Sequence, residues 1–376
     1  MTRGVWSRSA VALGASCALT LLAVFHVRAH PLDARSQESA GEFYDSHFHL
    51  TNYVQQGIGV HDFLRIMGTR VGRSTLFGIP LQQQWSYANS GEFAPTYYLQ
   101  SDAPLYYYSF TDAYIASLYR SLSPDEQARL DPMITGFNPA DMYGVDHIRR
   151  VLTTFPGVFT GIGEFSIHKE FVSAKIAGET ASLTNPALDR ILDFAGESGL
   201  VVILHNDLDM PFAKADAQPV YLAQMQTVLR RHQKTAIIWA HLGLGRIVHP
   251  VQVSADAAER SPNQVQLVEA MLTDPSLRHV AFDISWDEVA KYAIASPESI
   301  ARVSAVLNRY PDRFLFGTDT VAPAGPDPYY AVFDLWAPVW KRLTPEASHK
   351  VRKGNYERIF DEGRRKVRAW EQAHTR

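Results

Sequence analysis

The residues of this chain best suited to chemistry begin with Asp45-Ser46-His47-Phe48-His49. Alternate side chains of a strand share a face, so His47 and His49 can reach one ion together. A histidine pair alone decides little. The chain has 14 histidines, and most serve as surface or core residues, the ordinary fate for His61, His147, His232 and His349. Four further groups strengthen the case, because Glu164, His205, His241 and Asp319 each stand at the end of an apolar run. Singly, each has a structural explanation: Glu164 as an ion-pair partner, His241 as a core histidine, Asp319 as a cap. Six such groups at the ends of five runs are poorly explained that way. Imidazole and carboxylate together suit a divalent first-row ion, zinc first, with manganese, iron or cobalt as alternatives. Asp45, two residues before His47, and Asp283, which ends its own run, are placed to orient a ligand or touch substrate. Arg246, in Gly243-Leu244-Gly245-Arg246, is either a carboxylate binder or a helix-surface arginine.

The elements that must position these groups follow from hydropathy. Apolar runs recur at residues 43–50, 74–81, 133–138, 159–165, 200–206, 235–242, 279–285 and 314–320, which makes eight candidate strands. Between most of them the spacing is helical, as at 186–198, 219–232, 263–272 and 299–310. Strands alternating with helices predict parallel pairing, and continuous apolar strands such as residues 201–204 predict a sheet covered on both faces. Eight units of this kind close into a (β/α)8 TIM barrel, whose active groups gather at the C-terminal ends of the strands. One connection is irregular. Residues 82–130, between the second and third strands, form a long insertion holding Tyr87, Tyr97, Tyr98, Tyr106, Tyr107, Tyr108, Tyr114 and Tyr119. Those tyrosines either line a pocket or pack an inserted subdomain.

With these residues in place, the chain resembles the amidohydrolase superfamily, and within it the amidohydrolase-related group of metal-dependent hydrolases, over nearly everything from Glu42 onward. The resemblance rests on Asp45-x-His47-x-His49, Gly161-Ile162-Gly163-Glu164, His205 and His241 at strand ends, Phe316-Gly317-Thr318-Asp319, and the stretch from Gly354 to Phe360. It implies that His47, His49, His205 and Asp319 ligate a single metal, and that His241 binds a second metal or contacts substrate and water. The run ending in Glu164 also looks like the deoxyribonuclease-type branch, where a glutamate helps hold two metals. No lysine ends the fourth strand, so the carboxylated lysine of other branches has no counterpart, and Lys169 lies well past that position. One or two ions are thus expected.

The chemistry implied is attack by water whose pKa a divalent cation lowers from about 15.7 to near 7. Asp319 would take the proton as general base and return it to the leaving group, and His241 would steady the developing oxyanion. The target would be an amide, lactone or other ester carbonyl of a small molecule. Three other functions compete. A non-hydrolytic decarboxylase of aromatic acids would use Arg246; a binding barrel without turnover would have lost ligands; a phosphodiesterase or nuclease would use Glu164.

Composition sets the address. Arg3 and Arg8 precede an apolar run at residues 9–27, and small residues near Ala29 suit cleavage, so residues 1–29 read as a signal peptide to a secreted or periplasmic destination. An uncleaved membrane anchor is the alternative, and a lipoprotein built on Cys17 ranks third. Residues 30–41 read as a flexible extension and 42–376 as the barrel domain. Cys17 is the sole cysteine, so the mature chain has neither disulfide nor cysteine nucleophile. The leader holds three arginines and no acid, so its removal takes the formal charge from −3 to −6, which argues against a nucleic-acid partner. A homo-oligomer stays open.

Overall fold

The computed structural model describes residues 41–52, 56–79, 91–92, 110–169, 181–210, 217–245 and 263–375. Among them lie ten strands: β1 (Phe43–Asp45), β2 (Phe48–His49), β3 (Val71–Leu76), β4 (Leu130–Ile134), β5 (Gly161–Ser166), β6 (Val201–His205), β7 (Ile237–Trp239), β8 (Val280–Asp283), β9 (Phe314–Leu315) and β10 (Thr320–Val321). Eight form one sheet in the order β1-β3-β4-β5-β6-β7-β8-β9, every pair parallel. The sheet curls until its ends meet. Ser46 N donates to Phe316 O at 3.0 Å and Asp319 N donates to His47 O at 2.7 Å. Just beyond, β2 runs parallel to β10, with Phe48 opposite Thr320 and His49 opposite Val321. The architecture is the (β/α)8 barrel that the alternating runs predict.

Strand alternation divides the core. Val201 and Ile203 join Tyr44, Met133, Ile238 and Leu315 in one cluster inside the barrel, whereas Val202 and Leu204 belong to the cluster under the helices. These four residues of β6 are fully buried, which is why that strand reads as an unbroken apolar run. Each such burial is worth about 1.5–3 kcal/mol. The helix Pro186–Ser198 keeps the bounds its sequence predicts. Asn185 accepts from Ala187 N at 2.9 Å, Pro186 fills the first position, and Gly199, at φ 80°, ends it. The last helix, Asn355–His374, sends Tyr356 and Phe360 into the interior cluster and closes the N-terminal end of the barrel.

The second and third strands start earlier than their apolar runs suggest, at Val71 and Leu130. The residues that conceal those starts are charged. Arg73 Nη2 and the fully buried Asp131 lie 2.8 Å apart, so an ion pair takes the place of apolar contact in the first layer of the sheet. Of the insertion, the described part includes the helices Thr111–Arg120, which carries Tyr114 and Tyr119, and Pro124–Gln127. Tyr87, Tyr97, Tyr98, Tyr106, Tyr107 and Tyr108, the leader, nearly all of the extension, and Arg246 lie outside the described residues. Among the described residues no helix is long and apolar enough to cross a membrane.

Candidate metal centre

Every one of the six convergent groups lies at the C-terminal mouth of the barrel, and backbone geometry sets them there. Gly163, at φ 108°, lets β5 approach β6 closely: a Cβ at that position would lie 2.1 Å from Ile203 O. Gly317 does the same for the first strand, since its Cβ would stand 2.6 Å from that of His47. His241 and Asp319 hold left-handed backbones, φ 56° and 54°. Such conformations cost free energy in non-glycine residues and concentrate at functional sites.

Four of the groups form a first cluster. His47 Nε2 lies 3.6 Å from Glu164 Oε2 and 3.3 Å from Asp319 Oδ1; His49 Nε2 lies 3.4 Å and 3.2 Å from the same two oxygens. Ligands about 2.0–2.1 Å from a tetrahedral ion stand about 3.3 Å from one another, so this spacing fits a zinc-sized cation. A second cluster shares Glu164 through its other oxygen. Oε1 is 2.6 Å from His205 Nδ1 and 3.4 Å from both His241 Nε2 and Lys169 Nζ. All six groups are among the His and carboxylate sets whose ligand atoms can meet one ion, and Glu164 belongs to both clusters. His205 thus sits in the second cluster with His241, while Glu164 completes the set around His47, His49 and Asp319.

The proton positions follow from the outer partners. His49 Nδ1 is 2.7 Å from Gly78 O, a pure acceptor, so Nδ1 carries a hydrogen and the neutral ring keeps its lone pair on Nε2. His47 Nδ1 is 2.9 Å from Asp283 Oδ2, with the same consequence. For His241 the logic takes one more step. Ser285 Oγ donates to Asp283 Oδ1 in a very short contact, so at 2.8 Å it accepts from His241 Nδ1 and leaves Nε2 bare. Nε2 of His47 and of His241 are buried and make no hydrogen bond. Carboxylate or carbonyl behind Nδ1, and an unprotonated Nε2 in front, is the arrangement of metal-ligating histidines. His205 differs, since its Nε2 faces Asp207 Oδ1 at 2.9 Å while Nδ1 faces Glu164.

Charge is finely set here. Burial opposes ionisation of Glu164, yet Lys169 and the imidazoles of His205, His241 and His47 around it hold its carboxyl well below the usual range. Asp319 is likewise held low against its burial by His241, His47, His49 and Lys169. Burial lowers His241, while for His47 the carboxylates of Asp283 and Asp319 overcome burial and raise it. Asp45 lies behind the site. It accepts from His47 N at 3.0 Å, Thr318 N at 2.8 Å, Thr318 Oγ1 at 2.7 Å and Tyr329 Oη at 2.9 Å, so it braces the main chain that carries His47. Burial pushes its carboxyl up to about 6 despite these donors.

The family model described as amidohydrolase matches residues 44–361. The chain belongs to the amidohydrolase family. Family members are metal-dependent enzymes, and the fit of the six groups to a cation agrees with that. No curated protein matches the chain. Among solved structures, an uncharacterised TIM-barrel protein of Bordetella bronchiseptica is 13% identical, with a TM-score of 0.51 over 85% of this chain and 99% of its own. A probable 2-pyrone-4,6-dicarboxylic acid hydrolase of Acinetobacter baumannii is 12% identical, with a TM-score of 0.50 over 85% and 99%. These likenesses establish the barrel fold for this amidohydrolase.

Two residues at the site escaped the sequence reading, and a third was set aside. Asp207 and Ser285 each stand two positions beyond a residue that was noticed, His205 and Asp283, so the same alternation that pairs His47 with His49 points to both. Lys169, set aside in the sequence because it comes five residues after Glu164 and past the end of β5, has its Nζ 3.4 Å from Glu164 Oε1.

Proposed function

We propose that this amidohydrolase cleaves an amide, lactone or other ester bond of a small molecule with water activated at one or two divalent ions, zinc first. The observation that carries the reading is the set of three imidazoles, His47, His49 and His241, each with Nδ1 held by a partner behind it and Nε2 turned toward buried carboxylates, that of His47 and of His241 without a hydrogen bond. In this reading His47, His49, Asp319 and Glu164 Oε2 would hold one ion, and Glu164 Oε1, His205 and His241 a second.

A cation held there supplies Lewis acidity, which makes water a competent nucleophile near neutral pH and polarises the carbonyl. The chain's own residues do the rest. Asp319 Oδ1 faces the strand-one histidines, which leaves Oδ2, 3.9 Å from His241 Nε2, to take the proton of the attacking water and pass it to the leaving group. With its proton on Nδ1, His241 has no hydrogen to offer an oxyanion, so of the two roles open to it from sequence this reading takes that of a ligand. Asp283 positions His47 directly and His241 through Ser285. Arg246, the basic residue that would favour the decarboxylase reading, lies outside the described residues. The leader reading joins the proposal: residues 1–29 direct export and are removed, which the intact mass of the exported protein checks.

Plasma mass spectrometry of protein purified without chelator tests the centre, alongside a panel of lactones, amides and esters. Bound metal that falls away in His47→Ala and Asp319→Asn, with metal-dependent turnover of a panel member, is the expected result. A protein that retains no metal and takes up neither zinc nor manganese overturns the proposal.

A further inference from the structure

At the end of the barrel opposite the metal centre, a cavity of about 360 Å³ opens between the entry ends of β7, β8 and β9 and the helix Asn355–His374. Ile238, Ala281 and Ile359 give it an apolar floor, and Lys234, Arg278, Arg313, Arg358 and Lys366 a basic rim. Two acids line it as well, and both are engaged. Asp312 lies 2.8 Å from Lys350, and Glu362 lies 2.8 Å from Arg365 and 3.2 Å from Lys366. Among the described residues, no carboxylate stands within ion-pair distance of Lys234, Arg278, Arg313 or Arg358.

Two of these cations are already oriented. Arg313 donates from Nε to Val280 O and from Nη2 to Leu277 O, both at 2.7 Å. Arg358 donates from Nη2 to Asp312 O at 2.8 Å and Asn355 Oδ1 at 3.2 Å. Neutral acceptors fix each guanidinium without cancelling its charge, and each keeps further N–H groups to offer. Burial, and then the nearby Arg358, hold Arg313 below the usual guanidinium range, as expected for cations crowded without a counterion. The whole chain is acidic at −3, so this gathering of cations from four separate segments is a local departure from the surface around it. The cavity's size falls in the range of small-molecule sites.

We propose that the cavity binds a small organic molecule carrying a multivalent oxyanion, phosphate ester or polycarboxylate, with its charged end on Arg313 and Arg358 and its apolar body against Ile238 and Ala281. Pre-oriented donors reduce the ordering cost of capture, and paired guanidiniums match the geometry of oxyanions.

Titration calorimetry on the full chain tests this with two probes, inorganic pyrophosphate and tricarballylate, at matched ionic strength. One saturable site is expected for at least one probe. Its Kd should rise about tenfold or more in Lys234→Ala/Arg278→Ala and in Arg358→Met, as for lost charged hydrogen bonds, and stay unchanged in His47→Ala. Lys234 and Arg278 are exposed, so the double variant should keep the wild-type melting temperature. Tighter binding of pyrophosphate identifies a phosphate site, and of tricarballylate a carboxylate site. The proposal is overturned by no saturable binding of either probe at millimolar concentration, by equal affinity in wild type and both rim variants, or by binding lost only in His47→Ala, which would place the probe on the metal centre.

Discussion

The two ends of this barrel each bury charge, and they finish it differently. At the N-terminal end, Asp131 is surrounded by Arg73 at 2.8 Å, Arg364 at 2.6 Å, Tyr356 Oη at 2.8 Å and Thr160 Oγ1 at 3.4 Å. Its carboxylate has donors on both oxygens, and the two guanidiniums, against its burial, hold it below the usual range. At the C-terminal end, Glu164, Asp283 and Asp319 crowd against imidazoles whose Nε2 atoms face inward, two of them with no hydrogen bond at all. The first cluster is complete within the chain and ties the last helix to the barrel. The second asks for a cation from outside. A buried charge with all its partners is a structural joint, whereas buried lone pairs that converge on carboxylates mark a place for chemistry.

That contrast can be broken most severely at Asp319. Asp319→Asn removes a proposed ligand oxygen and the proposed base together, and should lower kcat/KM by about 10³-fold or more, within the usual range for such groups, while the circular dichroism spectrum stays unchanged. A loss under tenfold would place the base elsewhere. Asp131→Ala should do the reverse: about 3 kcal/mol less stability in urea denaturation, because the half-buried guanidiniums of Arg73 and Arg364 lose their buried partner, with metal content per folded chain unchanged. If metal is lost before stability, the two ends are coupled.

A smaller effect separates ligands from their supports. Ser285→Ala leaves every proposed ligand in place but frees the ring of His241, and should weaken metal affinity about 10–100-fold in competition with a chelator. The smallest effect is on acid stability. Asp131 has a folded pKa below its unfolded value near 3.8, so the unfolded chain binds more protons in that window. Its contribution is present above the unfolded value and is lost as pH falls through the folded one, with a slope of at most about 1.4 kcal/mol per pH unit. Denaturation of apo protein between pH 5 and 2 should be flatter for Asp131→Asn than for wild type; equal slopes would mean other carboxylates dominate.

The metal centre was far more legible in the sequence than the structural joint. Glu164, His205, His241 and Asp319 each end an apolar run, and a polar group in that position stands out because the strand before it is buried on both faces. Asp131 and Arg73 sit inside strands, where charge interrupts the apolar pattern and reads as the loop before it. Their pairing depends on neighbouring strands in register, which no local pattern carries. The resemblance to a two-metal branch pointed to Glu164 as a shared residue, but which of its oxygens faces which histidine is decided by side-chain torsions that no sequence pattern carries. Proton placement on His241 needed Ser285, a residue with no distinguishing signal except its spacing from Asp283.

The seam that closes the barrel joins β2 to β10, and with them His47 and His49 from near the start of the chain to Asp319 from near its end. Those contacts close one of the longer loops in the fold, whose closure entropy predicts that they form after the local strand–helix units. A nascent or truncated chain that has made β1 through β8 therefore holds the histidines without the aspartate, and should capture metal poorly. Maturation of the centre becomes a report on the completion of the fold.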